Sequence, residues 1–209
     1  MSDDLAALAR RTQAVYERNA ARFDAERPKG LVERVWLDRF LDGLAPGATI
    51  LDLGCGTGDP IAHFFMDRGF RVTGVDASHA MIALARTRRP DGDWRIGDMR
   101  SLALGERFDG IVGWDSFFHL TRDDQRAVLP RLAAHLNPGG ALMLTVGPGD
   151  GEVAGRVGDD RVYHASLSPA EYRAALGVLD IAVTDFVAED PACGFHTILL
   201  AAKEGVPTG

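Results

Sequence analysis

Leu5, Leu8, Val15, Tyr16 and Phe23 recur at close to helical spacing, and Leu31, Val35, Trp36 and Phe40 do so again after a break at Pro28-Lys29-Gly30. The spacing predicts two helices ahead of the first strand. That strand is ATILDL, residues 48–53, short and apolar as in a sheet covered on both faces. Asp59 and Pro60 then read as an N-cap and a first helical residue. Strand and helix patterns alternate from there: strand 71–75, helix 78–88 with Met81, Ile82 and Leu84, and strands 93–97 and 108–113. Thr121, with Asp124 three residues on, caps a helix whose buried stripe is Val128, Leu129, Leu132 and Leu136. Pro130 should kink that helix, and Asn137-Pro138-Gly139-Gly140 should stop it. Strand 141–146, helix 169–179 and strands 181–187 and 195–202 complete the pattern.

Strands alternating with helices predict an α/β fold with a doubly wound, mostly parallel sheet. The last two strands are separated only by residues 188–194, too short for a helical crossover, so they pair antiparallel or lie apart. The 209 residues read as one domain: a helical segment 1–46, a core 47–203 and a tail 204–209. GPGDGEVAGRVGDD, residues 147–160, reads as an acidic, glycine-rich loop at the sheet edge, either a specificity loop or a mobile surface loop.

Charge and cysteines narrow the class. A net charge of −7 disfavours nucleic acid and anionic membrane as partners. Two cysteines far apart make no disulfide framework, as in a reducing cytosol. With no leader pattern and no long apolar run, the sequence reads as a cytoplasmic protein.

Asp52-Leu53-Gly54-Cys55-Gly56-Thr57-Gly58-Asp59 places three alternating glycines between a strand and a helix. A backbone this bare admits a ligand closely. The dinucleotide fingerprint spaces its third glycine one residue later and seats a pyrophosphate on the helix N-terminus. Asp59 at that N-terminus and Asp52 before the loop would repel a pyrophosphate and favour a cationic ligand.

With GVDAS, IGDM and LNPGGALMLT following in order, this loop resembles that of the class I S-adenosylmethionine-dependent methyltransferases, small-molecule type. The resemblance covers most of the chain. It implies a Rossmann-like, seven-stranded sheet, mostly parallel with the last strand antiparallel between its neighbours, plus an N-terminal helical lid. It implies S-adenosyl-L-methionine as cofactor and S-adenosyl-L-homocysteine as product. Gly54, Gly56 and Gly58 would surround the methionyl and ribose portions, with Asp52 near the amino group through water. Asp76 would accept from both ribose hydroxyls, although an acid before the helix at Ser78 also has a structural use. Ala77 and Met81 would flank the adenine, and Asp98 with the Met99 backbone would take its amino group. Cys55 fills the turn and Trp114 walls the pocket.

Residues after the fourth strand would face the transferred methyl group. Asp115 and His119 are the candidate base and orienting group there, since an imidazole titrates near neutral pH. Tyr16, Phe118, His164 and His196 are substrate-pocket candidates. His63, His79 and His135 read as structural or solvated, and Arg86, Arg88 and Arg89 as a solvated helix end. No cluster of carboxylates suggests a metal.

The expected activity is methyl transfer to an O, N or C atom of a small molecule. Alternatives are another reaction of the same cofactor, a non-catalytic nucleotide-binding protein, and a nicotinamide-dependent oxidoreductase. The identity of the acceptor and the oligomeric state are not encoded in any motif.

Overall fold

The computed structural model describes residues 3–205. Residues 206–209, most of the expected tail, lie outside them. Helices α1 (Asp3–Glu26) and α2 (Arg34–Leu41) precede β1 (Thr49–Leu53), and α3 (Ile61–Met66), β2 (Arg71–Asp76), α4 (His79–Arg88), β3 (Asp93–Ile96) and β4 (Phe108–Gly113) follow. Then come α5 (Arg122–His135), β5 (Leu136–Val146), β6 (Gly151–Val157), β7 (Asp160–Ser166), α6 (Pro169–Gly177), β8 (Ile181–Asp190) and β9 (His196–Lys203).

Seven strands form one sheet in the order β3-β2-β1-β4-β5-β9-β8. The first five run parallel, and β9 pairs antiparallel with both β5 and β8. Strand order reverses beside β1, so the carboxyl ends of β1 and β4 flank the crevice where such sheets hold ligands. Two apolar clusters cover the two faces. One contains Leu51, Ile111, Leu129, Leu144 and Leu199 beneath α5 and α6; the other contains Ile50, Val112, Phe65, Ile82 and Ile198 beneath α2, α3 and α4. Fully buried β1 and β4 explain why their sequences read as apolar runs rather than alternations.

Five expectations need correction. Residues 147–160 are not a loop: Gly151 to Ser166 makes a two-stranded antiparallel hairpin, β6–β7, in which Gly151 pairs with Ser166 and Val157 with Asp160. The turn is Gly158-Asp159, whose Gly158 takes the left-handed conformation (φ 57°) that a tight hairpin needs. Leu136 belongs to β5, not to the helix. The Asn137–Gly140 stretch lies within that strand, as extra length taken up by a register shift between Phe108 and Gly110 of β4.

Asp59 does not cap α3, whose N-cap is Pro60; its carboxylate instead meets Lys29 at 3.1 Å and Arg88 at 3.4 Å. The arginines ending α4 are not simply solvated. Arg88 grips the buried Asp24 of α1 with both terminal nitrogens, Arg86 donates to the Trp94 carbonyl, and Arg89 pairs with Asp67.

Helix α1 crosses the crevice and is fastened on both sides. Toward α4, Gln13 donates to the Ala77 carbonyl, and Glu17 accepts from Ser78 Oγ and the Ala80 amide. Asp24 also accepts from Thr57 of the glycine loop. Toward the hairpin, Arg18 and Asn19 donate to Asp160, Arg22 to Asp159, and the Tyr163 amide to Thr12 Oγ1. Leu8 packs with Tyr163 and Ala165.

Candidate active site

Between α1 and the carboxyl ends of β1, β2 and β4 lies a cavity of about 340 Å³. The glycine loop forms one wall. Gly54 (φ 74°) lies so near Ser116 that a Cβ would sit 2.3 Å from the serine Cβ, so no side chain fits. At Gly56 (φ 54°) the nearest atom to a Cβ would be Met81 Sδ at 3.9 Å, which leaves this backbone bare toward the cavity. The Gly56 amide donates to Asp76 Oδ2 at 2.9 Å, and the Ser78 amide donates to Oδ1 at 2.8 Å. The Gly56 N–H that could cradle a phosphate is therefore already committed to a carboxylate. Burial raises the Asp76 pKa against the pull of those two amides. Each carboxylate oxygen keeps a further lone pair for a ligand hydroxyl.

Asp52 lies buried below the loop. Burial pushes its pKa up to about 7, with Arg27 opposing and Asp76 adding to the shift. A carboxyl so placed is relieved by a nearby cation.

The opposite end is aromatic and imidazole-rich. Tyr16 of α1 donates its hydroxyl to His119 Nε2 at 2.8 Å, while His119 Nδ1 lies 2.8 Å from the Tyr163 carbonyl. A carbonyl only accepts, so Nδ1 carries the proton and Nε2 accepts from Tyr16. His119 is thus neutral, and burial lowers its pKa to about 4. Burial, with Asp115 and Asp76 nearby, raises that of Tyr16. Phe118, His119 and His164 pack ring against ring at 4.7–4.9 Å.

Asp115 has left-handed backbone (φ 50°), unusual without glycine, and its amide donates to Thr145 Oγ1 at 2.8 Å. Its Oδ1 lies 3.0 Å from His196 Nε2. His196 Nδ1 in turn lies 2.7 Å from the Cys193 carbonyl, and the ring packs on Trp114 at 5.2 Å.

Comparison with known proteins agrees with this crevice. Residues 50–140 match a methyltransferase domain family. Within that stretch, less than half of the chain, the sequence is similar to methyltransferases. The dTDP-3-amino-3,6-dideoxy-alpha-D-glucopyranose N,N-dimethyltransferase of Streptomyces fradiae is 38% identical over 99 residues, 46% of this chain and 38% of that protein. Magnesium-protoporphyrin O-methyltransferase of Rhodobacter capsulatus is 32% identical over 68% of this chain and 63% of its own length. The matched region thus spans about two fifths of the aminosugar enzyme and under two thirds of the porphyrin enzyme. Among solved structures, SAM-bound CalS10, an amino pentose methyltransferase from Micromonospora echinaspora, superposes with a TM-score of 0.69 at 24% identity, covering 90% of this chain and 96% of that one.

Of the residues singled out from sequence, the fold brings Tyr16, Gly54, Gly56, Asp76, Ala77, Met81, Asp98, Met99, Trp114, Asp115 and His119 to the cavity wall. Asp52, Cys55, Gly58, Phe118, His164 and His196 stand behind it or beside it. Gly58 is needed for packing, since a Cβ would fall 2.4 Å from the Trp94 ring. Burial lifts the Cys55 thiol pKa, which makes it unreactive. Asp98 is engaged by the Arg100 amide and guanidinium. Asp115 and His119 do not pair with each other: Asp115 turns to His196 and His119 to Tyr16. His135 is buried and holds the Leu104 amide, a structural role.

Arg10, Gln13, Arg27, Ser78, Ser116 and Thr121 also line the cavity without having been singled out. The signal for three of them lies in α1 and the residue that follows it. Continuing the Tyr16–Phe23 stripe in steps of three and four residues reaches Gln13, Arg10 and Arg27.

Proposed function

We propose that this chain transfers a methyl group from S-adenosylmethionine to a small-molecule acceptor. The observation that carries the reading is Asp76, held by the Gly56 and Ser78 amides on the wall of a cavity whose floor is bare glycine backbone. The donor set fits the cofactor. Asp76 would bind the ribose hydroxyls, Asp52 the ammonium group, and Arg27 the carboxylate. Ala77 and Met81 would flank the adenine, with Asp98 and Met99 at its edge. Gly54, Gly56 and Trp114 would enclose the methionyl chain. The bound cofactor supplies an electrophilic methyl group on sulfur.

The protein's own part is to hold the acceptor in line, exclude water and stabilise charge. Tyr16 and Asp115 would face the acceptor, with His119 orienting Tyr16 from behind. Residues 1–46 would serve as the lid, because α1 covers the cavity along its length. Phe118 and His164 would buttress His119 rather than touch the acceptor. Two relatives act on small molecules by their names, an aminosugar and a magnesium porphyrin, which supports a metabolite as acceptor. Two unpaired cysteines fit a cytoplasmic setting, and no helix among the described residues is long and apolar enough to cross a membrane.

Isothermal titration with S-adenosylmethionine, S-adenosylhomocysteine and NAD⁺ tests this reading. Micromolar binding of the first two alone is expected, followed by S-adenosylhomocysteine production when acceptors are screened. Binding of NAD⁺ alone, or of none of the three, overturns it.

A further inference from the structure

The two histidines beside the acceptor end differ in protonation, and their hydrogen-bond partners and burial account for it. His119 faces a carbonyl at Nδ1 and, at Nε2, a hydroxyl able to donate to it, and burial keeps the ring neutral. His196 has acceptors at both nitrogens: the Cys193 carbonyl at Nδ1 and the Asp115 carboxylate at Nε2. Satisfying both requires a proton on each nitrogen, which makes His196 an imidazolium. The hydrogen bond from His196 to Asp115 also raises its pKa to about 9.

We infer that His196 is a positioning residue that holds the Asp115 carboxylate in place, and that this carboxylate selects an amine as the methyl acceptor. The inference rests on the methyltransferase reading above. Three features fix Asp115: its left-handed backbone, the hydrogen bond from its amide to Thr145 Oγ1, and the His196 ion pair. Only Oδ1 is used, so Oδ2 has no partner among the described residues, although the residue lines the cavity.

No strong base accompanies it. His119 Nε2 already accepts from Tyr16, and Asp115 Oδ1 is engaged by His196. An alcohol would have to lose its proton as it attacks, and nothing here takes it readily. An amine that arrives as ammonium first gives its proton to water, and the neutral amine then attacks without a base. Its lone pair forms the C–N bond, the S–C bonding pair withdraws onto sulfur, and the positive charge passes from sulfur to nitrogen. The Asp115 carboxylate would stabilise the ammonium centre as it develops. The new ammonium then releases its proton to water.

The test uses the S-adenosylhomocysteine-loaded protein with cyclohexylamine and cyclohexanol as matched probes, followed by NMR titration. The wild type should bind the amine about tenfold more tightly than the alcohol, as expected of a charge-assisted hydrogen bond. Asp115→Asn and His196→Gln should each bring the two to near parity. In ¹⁵N spectra of the wild type at about pH 7.5, both His196 ring nitrogens should be protonated; in Asp115→Asn one should lose its proton. The spectrum of the wild type needs no variant to fold. A neutral His196, a wild type without amine preference, or a preference that survives Asp115→Asn overturns the inference while leaving methyl transfer standing. Failure of S-adenosylhomocysteine to bind the wild type overturns the parent reading instead, and the inference with it.

Discussion

The Asp76 carboxylate and the bare Gly56 backbone act on a ligand directly, so their substitution should be read in binding. Asp76→Ala removes the acceptor held by two amides, and Gly56→Val forces a β-branched residue into left-handed backbone at about 1–3 kcal/mol. Both variants should lose S-adenosylmethionine binding by titration calorimetry while circular dichroism shows a retained fold. Asp52 carries the opposite tension. Its carboxyl is ordinary when unfolded, at pKa 3.8, and raised to about 7 when buried. As pH rises between those values the unfolded chain releases a proton that the folded one keeps, and stability falls. Asp52→Asn should therefore stabilise the ligand-free protein above pH 7 by up to about 4 kcal/mol, with no gain below pH 3.8. Urea unfolding across that range checks it, and the same variant should bind S-adenosylmethionine more weakly.

Helix α1 shows how an element can be visible in sequence while its fastening is not. Its inward stripe of Tyr16 and Phe23 follows from spacing alone, and so do β1, β2, β4 and the helices between them, where propensity and burial agree. Three features were hidden. The β6–β7 hairpin is rich in glycine and acids, and no residue of β6 is fully buried, so its short alternation looks like loop composition. The Asn137–Gly140 stretch reads as a helix stop, yet pairing with β4 absorbs it into a strand. The partners of Asp115 and His119 come from β9 and α1, far away in sequence, and nothing local announces them. The same holds for Asp24 and Arg88, whose contact spans 64 residues. Arg88→Ala should leave Asp24 buried with only Lys29 and Thr57, costing about 2 kcal/mol. Hydrogen exchange should show the amides of α1 losing protection while those of β1 and β4 keep theirs.

At the scale of the whole molecule, net charge acts before any contact is made. The protein carries −7, so a cationic ligand is drawn in and a neutral one is not. S-adenosylmethionine bears one more positive charge than its product. Its association rate should fall with added salt, and that of S-adenosylhomocysteine should barely move, as stopped-flow measurement can show. The position of β9 has a different consequence. The strand made last among the nine is not at the sheet's edge but inside it, hydrogen-bonded to β5 on one side and β8 on the other. During synthesis β5 must therefore wait with its Leu142, Leu144 and Val146 strand unpaired along one side, while β8 and α6 have no sheet to join. An open apolar edge invites pairing with other chains. The nascent polypeptide is thus most prone to aggregate, and most in need of chaperone protection, in the interval between the emergence of β5 and that of β9.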